Sequence, residues 1–434
     1  MKEKLAVFWF RRDLRMQDNT GLFHALQGDF PVLPIFIFDE HILENLERDD
    51  ARVSFIYQNL QKIREQLLQN GSSLAIFSGK PEKVFKQLLK TYDIAEVYTN
   101  HDYEPYAKER DSQIEEILSS QNIPFKTFKD QVIFEKDEVV KNDGSPYVVY
   151  SPYMRLWKEK FRELDPVAYK TKPHFKNFIQ NSNLPNPELK ELGFEPSNIS
   201  VPAYDVSGNM IKDYQGKRNF PGIDSTSHLG PHLRFGTVSI REIVHLAANE
   251  KNETFLQELI WREFFMQILY HFPHTVTGAF KPKYDRIQWR NNEEEFSLWK
   301  AGKTGYPLVD AGMRQLNESG FMHNRVRMLV ASFLCKHLLI DWRWGEAYFA
   351  EKLLDYEMSS NVGNWQWAAG SGVDAAPYFR IFNPTTQLND YDKNMKYVKA
   401  WVKEFGTANY PEPMVDHKEA RERALKIYKE AVTE

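Results

Sequence analysis

The chain is almost without cysteine. Cys335 is the single one in 434 residues, which excludes an internal disulfide and any cysteine-built metal cluster. That usage suits a reducing, cytoplasmic setting. Long apolar runs are also missing, and nothing approaches the roughly 18 residues that a membrane-spanning helix needs. The N-terminal apolar stretch is short and runs straight into RRDLR, so it does not read as a signal peptide. No Gly-x-Gly-x-x-Gly follows it. RRDLRMQDN stands there instead, so the usual dinucleotide cradle is absent at that turn. Net charge is small as well: 56 basic against 60 acidic side chains, a formal −4. A uniformly basic nucleic-acid coater is excluded.

The charge is unevenly placed. Residues 1–150 hold 19 basic and 25 acidic side chains, whereas residues 151–434 hold 37 and 35. Residues 262–343 alone hold 12 basic and 8 acidic ones, a local balance of +4. Aromatics are abundant at 14%, and eight of the ten tryptophans lie at or beyond Trp261.

Apolar, β-rich runs at 5–10, 32–38, 74–77 and 96–99 alternate with helical spacing. Val53, Ile56, Leu60, Ile63 and Leu67 mark one helix, with Gly71 expected at its C-cap. A second opens at Pro81, and a third covers about 106–119. This order predicts an α/β N-terminal domain with an open parallel sheet over 1–130. An Asn-, Pro- and Ser-rich connector is expected over 131–204, interrupted by a helix near 153–163. Residues 205–434 read as a larger all-helical domain, with helices at 239–250, 254–270, 308–319, 324–340 and 345–354.

Four segments of the helical half carry unusual chemistry. In Tyr214–Gly236, hydroxyl residues and a Gly-Pro step precede a helix, which suits a phosphate but equally a capped loop. Glu258, Trp261, Arg262 and Phe265 share one helical face, a poor core stripe because buried charge needs partners. In MHNRVRM, Arg325 and Arg327 crowd a helix N-terminus, where the dipole is positive; a nearby anion or an Arg327–Asp355 pair would account for them. Trp365 and Trp367 are two residues apart and cannot share a helical face, so one points inward and the other toward a cavity.

In order and spacing, FWFRRDLRMQDN, ELIWREF, KTGYPLVDAGMRQL, MHNRVRM and NWQWAAGSGVDAAPYFRIFNPTTQ resemble the photolyase/cryptochrome family nearly end to end. The likeness is to the bacterial class I enzymes that repair cyclobutane pyrimidine dimers. It implies FAD in the helical domain, contacted by Tyr214, Thr226, Ser227, His228, Leu229 and Gly230, with Arg262 at the pyrophosphate. Gly230 stands where the family usually has Ser. Arg327 and Asp355 would pair beside the isoalloxazine, Asn361 would face its N5, and Asn324 would line the same region. Glu357 replaces the second Asp of an Asp-x-Asp. For the lesion, the resemblance implies Glu258 on the damaged bases, Trp261 and Trp367 as walls, and Asn324 and Met328 as lining. Arg325 and Arg380 would grip flanking phosphates. Trp365, Trp342 and Trp289 match the family's electron relay.

Light-driven repair by reduced FAD is therefore expected, on double- or single-stranded DNA containing pyrimidine dimers. No metal, membrane or obligate protein partner is implied, and the family suggests a monomer. An antenna chromophore (deazaflavin, flavin or folate) is expected near Asp102 and Glu104, an acidic pair that reads equally as a solvated cap. The alternatives are a cryptochrome-type blue-light photoreceptor and a (6-4) photoproduct photolyase. Asn361, where cryptochromes carry Asp or Cys, and the lone His323 weigh against them.

Overall fold

The computed structural model describes residues 3–164 and 168–433. Residues 1, 2, 165–167 and 434, at the ends of the chain and inside the expected connector, lie outside the described residues.

Five parallel strands, β1 (Lys4–Phe10), β2 (Val32–Asp39), β3 (Ala75–Gly79), β4 (Asp93–Asn100) and β5 (Phe125–Phe128), form one sheet in the order β3-β2-β1-β4-β5. Four were expected. The fifth is only four residues long, with exposed Lys126 and Thr127, and leaves little apolar signal. Along β1, Phe8 and Phe10 enter one core layer while Val7 and Trp9 enter the other. Both faces of the strand are thus covered, which is why it reads as a continuous apolar run. Helices Ala51–Leu68, Pro81–Thr91 and Pro105–Ser119 lie where expected. The first ends in a right-handed cap at Gln69; Gly71, with φ 74°, stands two residues beyond it.

The chain packs into two units that are not contiguous in sequence. The first comprises Met1–Glu138, Glu159–Tyr204 and His228–Asn249; the second comprises Val139–Lys158, Asp205–Ser227 and Glu250–Glu434. These bounds differ from 1–130, 131–204 and 205–434. Phe175, Phe178, Phe194 and Phe235 share a core layer with the strands, so most of the expected connector and the 228–249 segment pack with the sheet.

Among its described residues, the regular elements of the second unit are all helices, apart from an isolated bridge between Val140 and Pro146. Its core gathers Trp299, Met313, Val330, Trp342, Phe349 and Trp365, with Cys335 buried among them. The expected helix over 324–340 is interrupted: Asn324–Ser332 is α-helical and Phe333–His337 is a π turn. A segment that is apolar all round carries no phase to mark such a break. Among the described residues no helix is long and apolar enough to cross a membrane.

Candidate functional site

One cavity of the helical unit is lined by seven residues that the sequence had marked: Asn324, Arg327, Met328, Asp355, Asn361, Trp365 and Trp367. They come from two helices, Asn324–Ser332 and Met358–Ala369, and from the turn before the second. Glu357 caps that second helix by accepting from the Ser360 N–H at 3.0 Å. Substituting Glu for Asp therefore preserves an N-cap.

Arg327 donates to Asp355 through both guanidinium nitrogens, at 3.1 and 2.8 Å, and through Nε to the Met322 carbonyl at 2.7 Å. A fork bound at three points is held in one orientation. Asn361 is 8% exposed. Its amide nitrogen donates to the Glu346 backbone oxygen at 3.0 Å and to the Glu346 carboxylate at 2.8 Å. That fixes the amide flip and leaves Oδ1, an acceptor, for the cavity. Burial pushes the Glu346 carboxyl above its ordinary range, while the Asn361 hydrogen bond pulls it down.

Trp365 is 2% exposed and Trp367 half-buried, the division that their spacing required. Trp365 lies against Gly345, where a Cβ would stand 2.1 Å from the indole rim. Likewise a Cβ on Gly363 would meet the Phe265 ring at 2.2 Å. Each glycine permits a close approach that no other residue allows.

Glu258, Trp261, Arg262, Arg325 and Arg380 are not in the cavity lining but belong to the same unit. The Glu258 carboxylate accepts a charge-assisted hydrogen bond from Arg218. Trp261 stacks on Tyr150, centroids 3.6 Å apart and planes 7° apart, so one indole face is covered. Arg262 is half-buried one turn beyond Glu258. Arg325 donates to Asn219 at 2.6 Å, reaches the Met328 sulfur at 3.9 Å and lies over the Tyr391 ring at 4.4 Å. Burial lowers its guanidinium's pKa; Tyr391 opposes this, while Arg218 and Arg380 add to it. Arg380 is exposed, and its carbonyl accepts from the buried Lys336 amine at 2.8 Å. Burial brings Lys336 down to about 8. Arg325 and Arg380 have no carboxylate partner among the described residues, which leaves their charge available to an anion such as a phosphate.

Other marked residues are placed as follows. Tyr214, on helix Gly208–Lys217, packs edge-on against Phe255, and burial raises its hydroxyl to about 12. Ser227 follows Thr226, and its carbonyl accepts from the Asp205 N–H at 2.9 Å. In the sheet unit, His228 takes a left-handed φ of 49°, Leu229 is buried, and Gly230 opens the short helix Gly230–Arg234. Trp342 is buried in the helical core, and Trp289 packs against that core and onto Tyr428 at 6.0 Å. Asp102 and Glu104 receive Arg12, at 3.1 and 2.9 Å, and Glu104 also receives Arg234 at 2.7 Å. Burial alone would raise the Asp102 carboxyl, but Arg12, Arg11, Arg110 and Arg234 together hold it at about 2.

Sequence reasoning missed Tyr150, Arg218, Asn219 and Glu346. Arg218 and Asn219 stand in the quoted Tyr214–Gly236 segment, but their partners are far away in the chain. Glu346 left no local signal at all.

Residues 6–173 match the DNA photolyase family, and residues 255–409 match the FAD binding domain of DNA photolyase. A deoxyribodipyrimidine photo-lyase of Halobacterium salinarum is 36% identical, with 98% of this chain and 99% of the relative covered. A bacterial class III photolyase from Agrobacterium tumefaciens superposes with a TM-score of 0.87 at 31% identity, covering 99% of this chain and 98% of the other. An archaeal photolyase from Sulfolobus tokodaii, solved with two FAD molecules, superposes at 0.83 with 34% identity, covering 98% and 100%.

Proposed function

Because the chain belongs to the DNA photolyase family and is an FAD-binding enzyme of it, we propose that it splits cyclobutane pyrimidine dimers in DNA under light. The observation that carries this reading is the single cavity joining Arg327–Asp355, Asn361 and the two tryptophans.

The donor set fits a flavin: an aromatic wall, a fixed ion pair, and an acceptor with its amide nitrogen already taken. FAD, when bound, supplies light absorption and the electron. The protein's part is positional and electrostatic. Asn361 would present Oδ1 to N5, and the Arg327–Asp355 pair would brace the ring edge. Within the helical unit, Tyr214, Thr226, Ser227 and Arg262 would hold the phosphate and ribityl portions. For the lesion, Arg218 donates to one oxygen of the Glu258 carboxylate, and the other oxygen would accept from a base edge. Trp261, backed by Tyr150, and Trp367 would stack on the flipped dimer. Stacking contributes ~1–3 kcal/mol per base, which offsets the few kcal/mol that flipping costs. Arg325 and Arg380 would bind flanking phosphates. Trp365, Trp342 and Trp289 would carry electrons inward to restore the reduced flavin.

The Sulfolobus relative shows that two flavins can share one such protein. Here Asp102 and Glu104 are already paired with Arg12 and Arg234, so an antenna chromophore would rely on other groups.

The test is illumination of flavin-reduced protein with DNA carrying either dimers or (6-4) products. Light-dependent loss of dimers alone is expected, with Glu258→Gln lowering repair. Repair of neither lesion would favour a photoreceptor; repair of (6-4) products alone would favour the other photolyase class.

A further inference from the structure

Lys336 is a buried cation with no part in the chemistry described so far. It is 1% exposed, and among the described residues no carboxylate pairs with it. An uncompensated charge in such a place costs free energy. Burial above all brings its amine down to about 8; Cys335 opposes this and Arg380 adds to it. Among the described residues its one hydrogen bond is donated to the Arg380 carbonyl, at 2.8 Å. The backbone turns the side chain inward. Phe333–His337 is the π turn, closed by the Leu338 N–H on the Phe333 carbonyl at 3.1 Å, and all five of its residues are buried. Such a turn shifts the phase of the helix by an extra residue, and it recurs at functional sites. The segment that Lys336 reaches is short. Arg380 closes a turn by donating its N–H to the Pro377 carbonyl at 2.9 Å. Tyr378 stacks on Tyr428 at 6.2 Å and 11°, and Ile381 packs into the same cluster. The Arg380 side chain is left exposed, over the Phe382 ring at 5.5 Å.

We propose that Lys336 is a positioning residue for DNA: by holding the Arg380 carbonyl, it aims the Arg380 guanidinium at a phosphate beside the lesion. This inference rests on the reading of Arg380 as a phosphate contact. Lys336 itself does not touch the DNA. Tyr378 and Ile381 anchor the segment on either side, and the Lys336 ammonium fixes the backbone of Arg380 between them. A phosphate bound at Arg380 also offsets the repulsion between the two cations, so the buried charge is better tolerated in the complex than in the free protein. A side chain kept only for the fold and one kept for positioning predict opposite signs. Removing the first lowers stability and leaves binding alone. Removing the second weakens binding and relieves the fold of an unpaired charge.

The test uses the full chain loaded with FAD, in four forms: wild type, Lys336→Met, Arg380→Ala and the double variant. Each is bound in the dark to DNA carrying a cyclobutane dimer, over a range of salt. Lys336→Met is expected to weaken binding about three-fold and to flatten the salt dependence as Arg380→Ala does. The double variant should bind no more weakly than Arg380→Ala alone, because Lys336 acts through that side chain. Under light, the KM for damaged DNA should rise by the same factor while turnover at saturating DNA is kept. The unfolding midpoint should hold or rise, since an apolar side chain of similar length replaces an unpaired buried charge. Lys336→Gln, neutral but still a donor, takes over the binding comparison if Lys336→Met does not fold, and it should weaken binding in the same direction. Unchanged affinity in the Lys336 variants, or an equal loss with and without Arg380, overturns the proposal. Arg380→Ala that binds dimer DNA as tightly as the wild type overturns instead the reading beneath it.

Discussion

The two units differ in part of their arginine: Arg218, Arg290, Arg314, Arg327 and Arg343 of the helical unit are paired with carboxylates, as arginines of the sheet unit are, but not all of its arginines are. In the sheet unit guanidiniums meet buried carboxylates. Asp130 is 1% exposed and accepts from Arg15 at 2.7 Å, Arg241 at 2.9 Å, and the Thr20 N–H and hydroxyl at 3.0 Å each. Asp102 and Glu104 likewise take Arg12, and Asp111 takes Arg11. In the helical unit Arg325 and Arg380 have no carboxylate partner among the described residues, and Arg325 rests on an amide, a sulfur and a ring. Charge in the first unit is consumed in holding the fold. In the second, part of it is left for a ligand. Of the acidic residues in 1–150, Asp13, Asp18, Asp39, Glu96 and Asp130 face inward, while most of the others are exposed.

The largest expected effect tests the first half of this contrast. Asp130→Ala should cost about 3–5 kcal/mol of stability, because it strips a buried carboxylate from two guanidiniums. Chemical denaturation measures it, and a cost below about 1 kcal/mol would make the network ornamental. Next comes acid. The Asp102 carboxyl is depressed in the folded state, so its contribution is present above the unfolded value and lost as pH falls toward about 2. Asp102→Asn should therefore be less stable than the parent by about 2 kcal/mol at neutral pH, and the gap should close between about pH 4 and 2. A gap independent of pH would show that the loss is steric. The smallest effect lies in the other unit. Arg325→Ala should change stability by no more than about 1 kcal/mol while lowering the salt slope of DNA binding by about 1. Arg380→Ala, more exposed, should do the same more weakly. A large stability loss without a change in slope would erase the distinction between the units.

The sequence made β1 to β4 and most helices legible, because apolar residues recur at two-residue or 3.6-residue spacing over long windows. Strand β5 was not legible, since half of its four residues face solvent. Nor was the π turn at Phe333–His337, or the bounds of helix Met358–Ala369, where Asn361 and Asn364 break the apolar pattern. The cavity residues were legible only as a set. No single spacing rule joins Arg327 to Asp355, but the order of whole motifs did. What stayed hidden were partners drawn from distant elements: Arg218 for Glu258, Glu346 for Asn361, Tyr150 for Trp261. These depend on how helices pack, and packing leaves no periodic mark in the chain.

The interleaving of the two units has a consequence for synthesis. The sheet unit contains residues up to Asn249, and its core layer needs Phe235 beside Phe8 and Phe10. A ribosome that has released only the first 138 residues has made all five strands, yet it has not made the segments that close one of their faces. The nascent strands must therefore wait, partly uncovered, while more than a hundred further residues are added. Fragments cut at the end of β5 should inherit that same uncovered face.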